Sequence, residues 1–210
     1  MRVPTSNDDV TMKRLPSNGK VLALTFDDGP DSDYTPKVLS LLDRYGVHAN
    51  FFCLGAAVEA NPEVARRIVD SGHLIANHTW SHLHSTEISL AELHEEVQRT
   101  SAVIQRVTDV QPLYFRPPYG ELNAEVSEAV SQWGYRVVLW SVDAVDWSGI
   151  SGPQIAANVI PNLHHGGILL HHSAGNVSGT VDALPYIIEV CLKMDYRFVR
   201  LDGAEPHNVV

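Results

Sequence analysis

Seven short apolar runs, rich in β-branched and aromatic residues, alternate with longer segments of helical period, and no other feature restricts the fold as much. The runs are KVLALTF from Lys20, NFFCL from Asn50, HLIAN from His73, PLYFR from Pro112, YRVVLW from Tyr135, GILLH from Gly167 and RFVRL from Arg197. Helical patterns begin near Pro36, Pro62, Ser89, Asn123, Pro153 and Val181. Such an order implies an α/β fold of parallel strands joined by right-handed crossovers. An open doubly wound sheet and a barrel both satisfy it. Several boundaries carry their own signals. Asn61-Pro62 offers an N-cap followed by a proline in the first turn, and Ser89 to Glu92 has capping-box spacing. Gly46, Gly72 and Gly134 stand where helices must stop before a strand.

Polar clusters follow five of these strands: DDGP, NHTWSH, RPPYG, SVDAVDW and HHS. Parallel strands gather their carboxyl ends on one face, where α/β folds build their sites. Gly-Pro after paired aspartates also suits a solvated turn, but turn chemistry alone does not select Asp, His, Arg and Trp at five strand ends.

His78 and His82 are four residues apart, a spacing that places both imidazoles on one side of a helical turn. With a carboxylate from Asp27 or Asp28 they make a His-His-Asp set, three protein ligands with an open position, as in catalytic divalent-metal sites. No His-Glu-x-x-His signature is present, which argues against a zincin protease. Adjacent strand residues point to opposite sides, so one aspartate can bind metal while the other acts as a base. A glycosidase pair is disfavoured, since its two carboxyls usually come from different elements. His171 ends an apolar strand and taken alone reads as a core histidine, but with a metal-bound water opposite it is placed to serve as general acid; His172 points the other way and reads as structural. Arg116, stiffened by Pro117 and Pro118, suits a fork on a carboxylate. Trp147 suits either core or the wall of a small apolar pocket.

The 210 residues fit one domain over 1–210, with 1–19 as a partly flexible lead-in. Apolar residues make up 44% and charged residues 19%, enough for a sizeable core. A formal charge of −10 argues against nucleic acid or an anionic membrane surface. No apolar run reaches 18 residues, so no membrane-spanning helix is expected. The start of the chain lacks a hydrophobic signal core. Cys53 and Cys191 form no metal or redox motif; Cys53 reads as a buried thiol, and a bridge between them depends on a separation the sequence does not give.

Together TFDDGP, HTWSH, RPPYG, DAVDW and LLH, in that order from about Lys20 to Leu201, resemble the polysaccharide deacetylase family, the NodB-homology domain of carbohydrate esterase family 4. The resemblance implies a distorted (β/α) barrel of about seven strands. It implies Asp27 as catalytic base, Asp28, His78 and His82 as metal ligands, and Arg116 as the residue that positions the base. It implies Tyr119 as the backbone N–H donor to the oxyanion, His171 as general acid tuned by Asp146, and Trp147 and Leu169 as walls of the acetyl pocket. Asp143 has a supporting role. The position after His171 is often acidic in the family and here is His172.

The activity implied is metal-dependent N-deacetylation of β-1,4-linked N-acetylglucosamine glycans, with one divalent ion, zinc foremost, and cobalt, nickel or manganese as alternatives. Chitin is the leading substrate, because the negative charge favours a neutral glycan. Peptidoglycan N-acetylglucosamine and acetylated xylan are the alternatives. The complete DAVDW favours N-acetylglucosamine over muramic acid. A non-catalytic glycan-binding module would have lost at least one of these residues, and none is missing. The resemblance also implies export to the cell envelope or beyond, with a cytoplasmic location as the alternative, and a monomer is expected.

Overall fold

The computed structural model describes residues 11–17 and 19–203. Most of the 1–19 lead-in therefore lies outside the described residues. In chain order the elements are β1 (Thr11–Met12), β2 (Val21–Asp27), α1 (Tyr34–Tyr45), β3 (Asn50–Cys53), α2 (Gly55–Ala60), α3 (Pro62–Asp70), β4 (Leu74–Asn77) and α4 (Leu90–Thr108). There follow β5 (Tyr114–Phe115), α5 (Ala124–Gln132), β6 (Arg136–Val138), β7 (Val142–Asp143), α6 (Gly152–Val159), β8 (Gly167–His172), α7 (Ser178–Lys193) and β9 (Arg197–Phe198).

All seven expected strands are present, joined by two-residue β1 and β7, in one nine-stranded parallel sheet ordered β1-β6-β5-β4-β3-β2-β8-β7, with β9 also on β2. The sheet curls into a distorted barrel. Its open side is bridged by the chain itself: Leu139 N–H donates to Met12 O, Ser141 N–H to Ile168 O, and Leu15 N–H to Gly166 O. Short β7 lay hidden in a stretch of the sequence too polar and too brief to read as a strand.

Period-two alternation divides the sheet into two faces. Leu22, Leu24 and Phe26 of β2 pack outward with Val38, Leu39 and Leu42 of α1 and Leu184, Ile187 and Ile188 of α7. Val21 and Ala23 face inward with Phe52, Tyr114, Val138 and Ile168, a core to which no helix among the described residues contributes. Each fully buried Leu or Phe contributes about 1.5–3 kcal/mol, so the sheet is held from both sides and its strand ends are rigid mounts.

Ser89 and Glu92 close the expected capping box. Asn61 does not cap α3 with its side chain; its Nδ2 donates to Pro30 O and Ala57 O, tying the loop after β2 to α2. Gly46, Gly72 and Gly134 have φ of 62°, 82° and 92°, the left-handed stop that glycine adopts without a Cβ penalty. Cys53 and Cys191 are both buried, free thiols.

Candidate active site

The site grows from the end of β2. Thr25 and Asp27 continue the inward face of Val21 and Ala23, but at the mouth of the barrel the lining turns from apolar to polar. Arg116, just after β5, lies completely buried between the Phe52 ring, 4.0 Å from its guanidinium carbon, and the more distant Trp140 ring at 5.6 Å. It donates from Nη1 to Asp27 Oδ1 (2.6 Å) and Thr25 Oγ1 (2.9 Å), from Nε to Val138 O, and from Nη2 to Leu139 O. The expected two-pronged fork is thus a single prong, because the other donors go to the Thr25 hydroxyl and to backbone carbonyls. The other oxygen, Asp27 Oδ2, is 3.7 Å from His78 Nε2.

Asp28 would point away from Asp27 on a regular strand. β2 ends at Asp27, however, and Asp28 takes φ 70°, which swings its carboxylate back toward the same cluster. Asp28 Oδ1 lies 3.5 Å from His78 Nε2 and 3.4 Å from His82 Nε2. It is buried and has no hydrogen-bond partner. Atoms about 3.4 Å apart that do not bond one another match the edge of a tetrahedron around an ion with ligand distances of about 2.0–2.1 Å. The ligand atoms of Asp28, His78 and His82 all lie within 4.8 Å of one another. His78 Nδ1 donates to Arg116 O (2.8 Å), which selects the tautomer leaving Nε2 free as a ligand. The donor set therefore fits a divalent cation. Burial alone raises the Asp28 pKa, but the nearby imidazoles of His78, His172 and His82 outweigh it and bring it to about 2.

His78 and His82 do not share a helical turn as their spacing predicts. They sit on a loop in which Thr79 and His82 have φ of 69° and 63°. The loop holds this shape through side chains that the sequence did not flag. Asn77 Oδ1 accepts from Thr79 N–H, while its Nδ2 anchors to Val97 O and Ser101 Oγ of α4. Glu96, also on α4, accepts the N–H groups of Trp80 and Ser81 on Oε2 and the Ser81 hydroxyl on Oε1. An acidic residue eighteen positions beyond His78 on a helix carries no local signal of that role.

The largest departure concerns the two histidines that end β8. Parallel neighbours share a face, and β8 pairs with β2 so that His171 lies beside Phe26 and His172 beside Asp27. His171 faces outward with Leu169, its ring 5.7 Å from that of Phe26, fully buried, with neither ring nitrogen hydrogen-bonded. Burial lowers its pKa. It is thus separated from the cluster assigned to it, and Leu169 likewise packs in the helix-side core rather than on the site. The inward residues are Leu170 and His172. His172 Nδ1 donates to Asp146 Oδ1 (2.7 Å), and its backbone N–H donates to Asp146 Oδ2 (2.9 Å). Asp146 also accepts the Thr180 hydroxyl from α7 at 2.6 Å. Burial pulls the His172 pKa down, yet the bond to Asp146 and the charges of Asp146, Asp27 and Asp28 prevail and raise it to about 9. A Leu-Leu-His-His string reads equally well in either register, so the sequence did not distinguish the inward histidine from the outward one.

Asp143 accepts the Val145 N–H at 2.7 Å and so shapes the turn that carries Asp146. Trp147 is 65% exposed and Tyr119 56% exposed, so both stand at the surface of this face. Tyr119 has φ 60° and ψ 5°, a left-handed backbone costing roughly 1–2 kcal/mol for a residue with a side chain.

A polysaccharide deacetylase model matches residues 14–138. A peptidoglycan N-acetylglucosamine deacetylase of Bacillus cereus is 39% identical over 188 residues, covering 89% of this chain and 68% of that protein. The peptidoglycan N-acetylmuramic acid deacetylase PdaC of Bacillus subtilis is 35% identical over 188 residues, covering 90% of this chain and 39% of that one. The crystal structure of the Bc1960 peptidoglycan N-acetylglucosamine deacetylase superposes with a TM-score of 0.90 at 36% identity, over 94% of this chain and 95% of that one. With the family's strand-end motifs gathered on one barrel mouth, this chain belongs to the polysaccharide deacetylase family.

Proposed function

We propose that this protein hydrolyses the N-acetyl group of N-acetylglucosamine residues in peptidoglycan, releasing acetate. The observation that carries the chemistry is the convergence of Asp28, His78 and His82 between Asp27 on one side and the Asp146-bound His172 on the other. Peptidoglycan takes precedence over the chitin that net charge suggested. Relatives covering about nine-tenths of this chain carry peptidoglycan activities, whereas whole-chain charge says little about one groove. The complete DAVDW segment supports N-acetylglucosamine over muramic acid.

A divalent cation held by Asp28, His78 and His82 supplies Lewis-acid polarisation of the amide carbonyl and a more acidic water. Asp27 Oδ2 takes a proton from the attacking water, while Arg116 pins Oδ1 and keeps the carboxylate aimed. The backbone N–H of Tyr119 donates to the oxyanion as the carbonyl becomes tetrahedral. His172, charged at neutral pH because Asp146 holds its Nδ1–H, delivers the Nε2 proton to the departing nitrogen as the C–N bond breaks. Acetate and a free amine result. Trp147 and Leu170 serve as the apolar surfaces nearest the acetyl methyl.

The test is acetate release from peptidoglycan glycan strands and from N-acetylglucosamine oligomers, for wild type and Asp27→Asn, after chelation and after zinc or cobalt is restored. Amino-sugar analysis of the product identifies which sugar lost its acetyl group. Metal-restored release from glycan strands, yielding glucosamine residues and lost in the variant, upholds the proposal. Faster release from the oligomers returns the substrate to chitin, and free muramic amine moves it to the other wall sugar.

A further inference from the structure

The loops after β4 and β5 are bolted together at the rim by residues outside the five motifs' assigned roles. The His84 ring lies face to face on the Tyr119 ring, with centroids 4.0 Å apart and planes 11° from parallel. His84 Nδ1 is 3.0 Å from Glu121 Oε2, which also accepts the Thr86 hydroxyl at 3.3 Å. On its other side Tyr119 meets the His82 ring edge-on, centroids 4.5 Å apart at 72°. Below it, Gly120 (φ 69°) is packed so closely that a Cβ there would lie 2.6 Å from the Trp140 ring. Tyr119 is therefore held in its left-handed conformation by His84 above, His82 at the side and Trp140 beneath its neighbour.

We propose that the Glu121–His84 pair is a positioning device, a strut that fixes Tyr119 and through it the orientation of His82. The proposal rests on the deacetylase reading for its effect on turnover but not for its effect on metal binding. Glu121 sets the plane of the His84 ring, the face of His84 sets the Tyr119 ring, and the edge contact with His82 ties Tyr119 to that placement. The pair is part-exposed, with side-chain exposures of 42% and 36%, so removing it opens no core cavity.

The experiment compares His84→Ala, His84→Phe and Glu121→Ala with wild type in two readouts: cobalt(II) titration by absorbance, and kcat and KM on glycan strands. Thermal melting verifies that each variant is folded. Loss of one aromatic stack predicts that His84→Ala lowers kcat by about tenfold with KM within about twofold, and weakens cobalt binding about threefold. His84→Phe keeps the stack and returns kcat to within about threefold of wild type and cobalt affinity to that of wild type within error. Glu121→Ala falls between them. A His84→Ala variant that changes KM alone marks a substrate contact and overturns the strut. So does unchanged cobalt affinity, or a His84→Phe variant as impaired as His84→Ala. A wild type that binds cobalt but releases no acetate counts against the deacetylase reading, while the cobalt titration still decides the strut.

Discussion

The two faces of the β2–β8 pair each end in a histidine and do opposite things with it. On the outer face, the Phe26 and His171 rings meet at a tilt under the helices, and the imidazole is fully buried without a hydrogen-bond partner, its charged form disfavoured by burial. One residue further on, Asp27 and His172 turn into the barrel mouth, where Arg116 and Asp146 meet them with charge-assisted bonds of 2.6 and 2.7 Å. The chemistry of an imidazole is thus set by strand parity rather than by residue type. Low dielectric surrounds both rings, but only His172 has a carboxylate hydrogen-bonded to it, and that bond outweighs its desolvation.

That contrast is sharpest at the histidine doublet. His172→Ala is expected to lower kcat by about 10²–10⁴, the usual worth of a positioned proton donor, with Asp27→Asn comparable. His171→Phe should leave kcat within about threefold. Steady-state acetate release decides it, and the reverse ranking would break the contrast outright. Next in size, Glu96→Ala frees the loop that carries His78 and His82. It should raise the dissociation constant for zinc or cobalt about 10–100-fold, read by competition with a chromogenic chelator; affinity within error of wild type would show that the loop keeps its shape without Glu96.

The pH dependence probes the same divide. In the proposed mechanism activity requires protonated His172, so it is retained through neutral pH and falls as pH rises through about 9, where the folded His172 deprotonates. Asp146→Asn removes the interaction that raises this pKa, so the alkaline limb of kcat should move down toward the ordinary imidazole range; an unmoved limb assigns it to another group. The smallest effect belongs to the outer face. His171→Phe replaces an unpartnered buried imidazole, whose desolvation costs about 1–3 kcal/mol, with a ring of similar volume. Its melting temperature should equal or slightly exceed that of wild type, and a drop of several degrees would reveal a polar partner for His171.

The alternation of apolar runs and helical periods was enough to specify a parallel α/β fold. Motif order in the sequence located Asp27, Asp28, His78, His82, Arg116 and Asp146, which the fold gathers at one barrel mouth. These were legible because burial patterns are local and because parallel strands send all their carboxyl ends to one face. What the tertiary structure alone decided depends on register, on left-handed residues and on distant partners. Pairing with β2 turns His172 inward and His171 outward, a one-residue distinction that a Leu-Leu-His-His string does not encode. The positive φ of Asp28 brings two adjacent carboxylates to one cluster against the alternation of a regular strand. Glu96 and Asn77 hold the histidine loop by contacts with α4 and with backbone groups, which become neighbours only when the sheet curls and the helix docks.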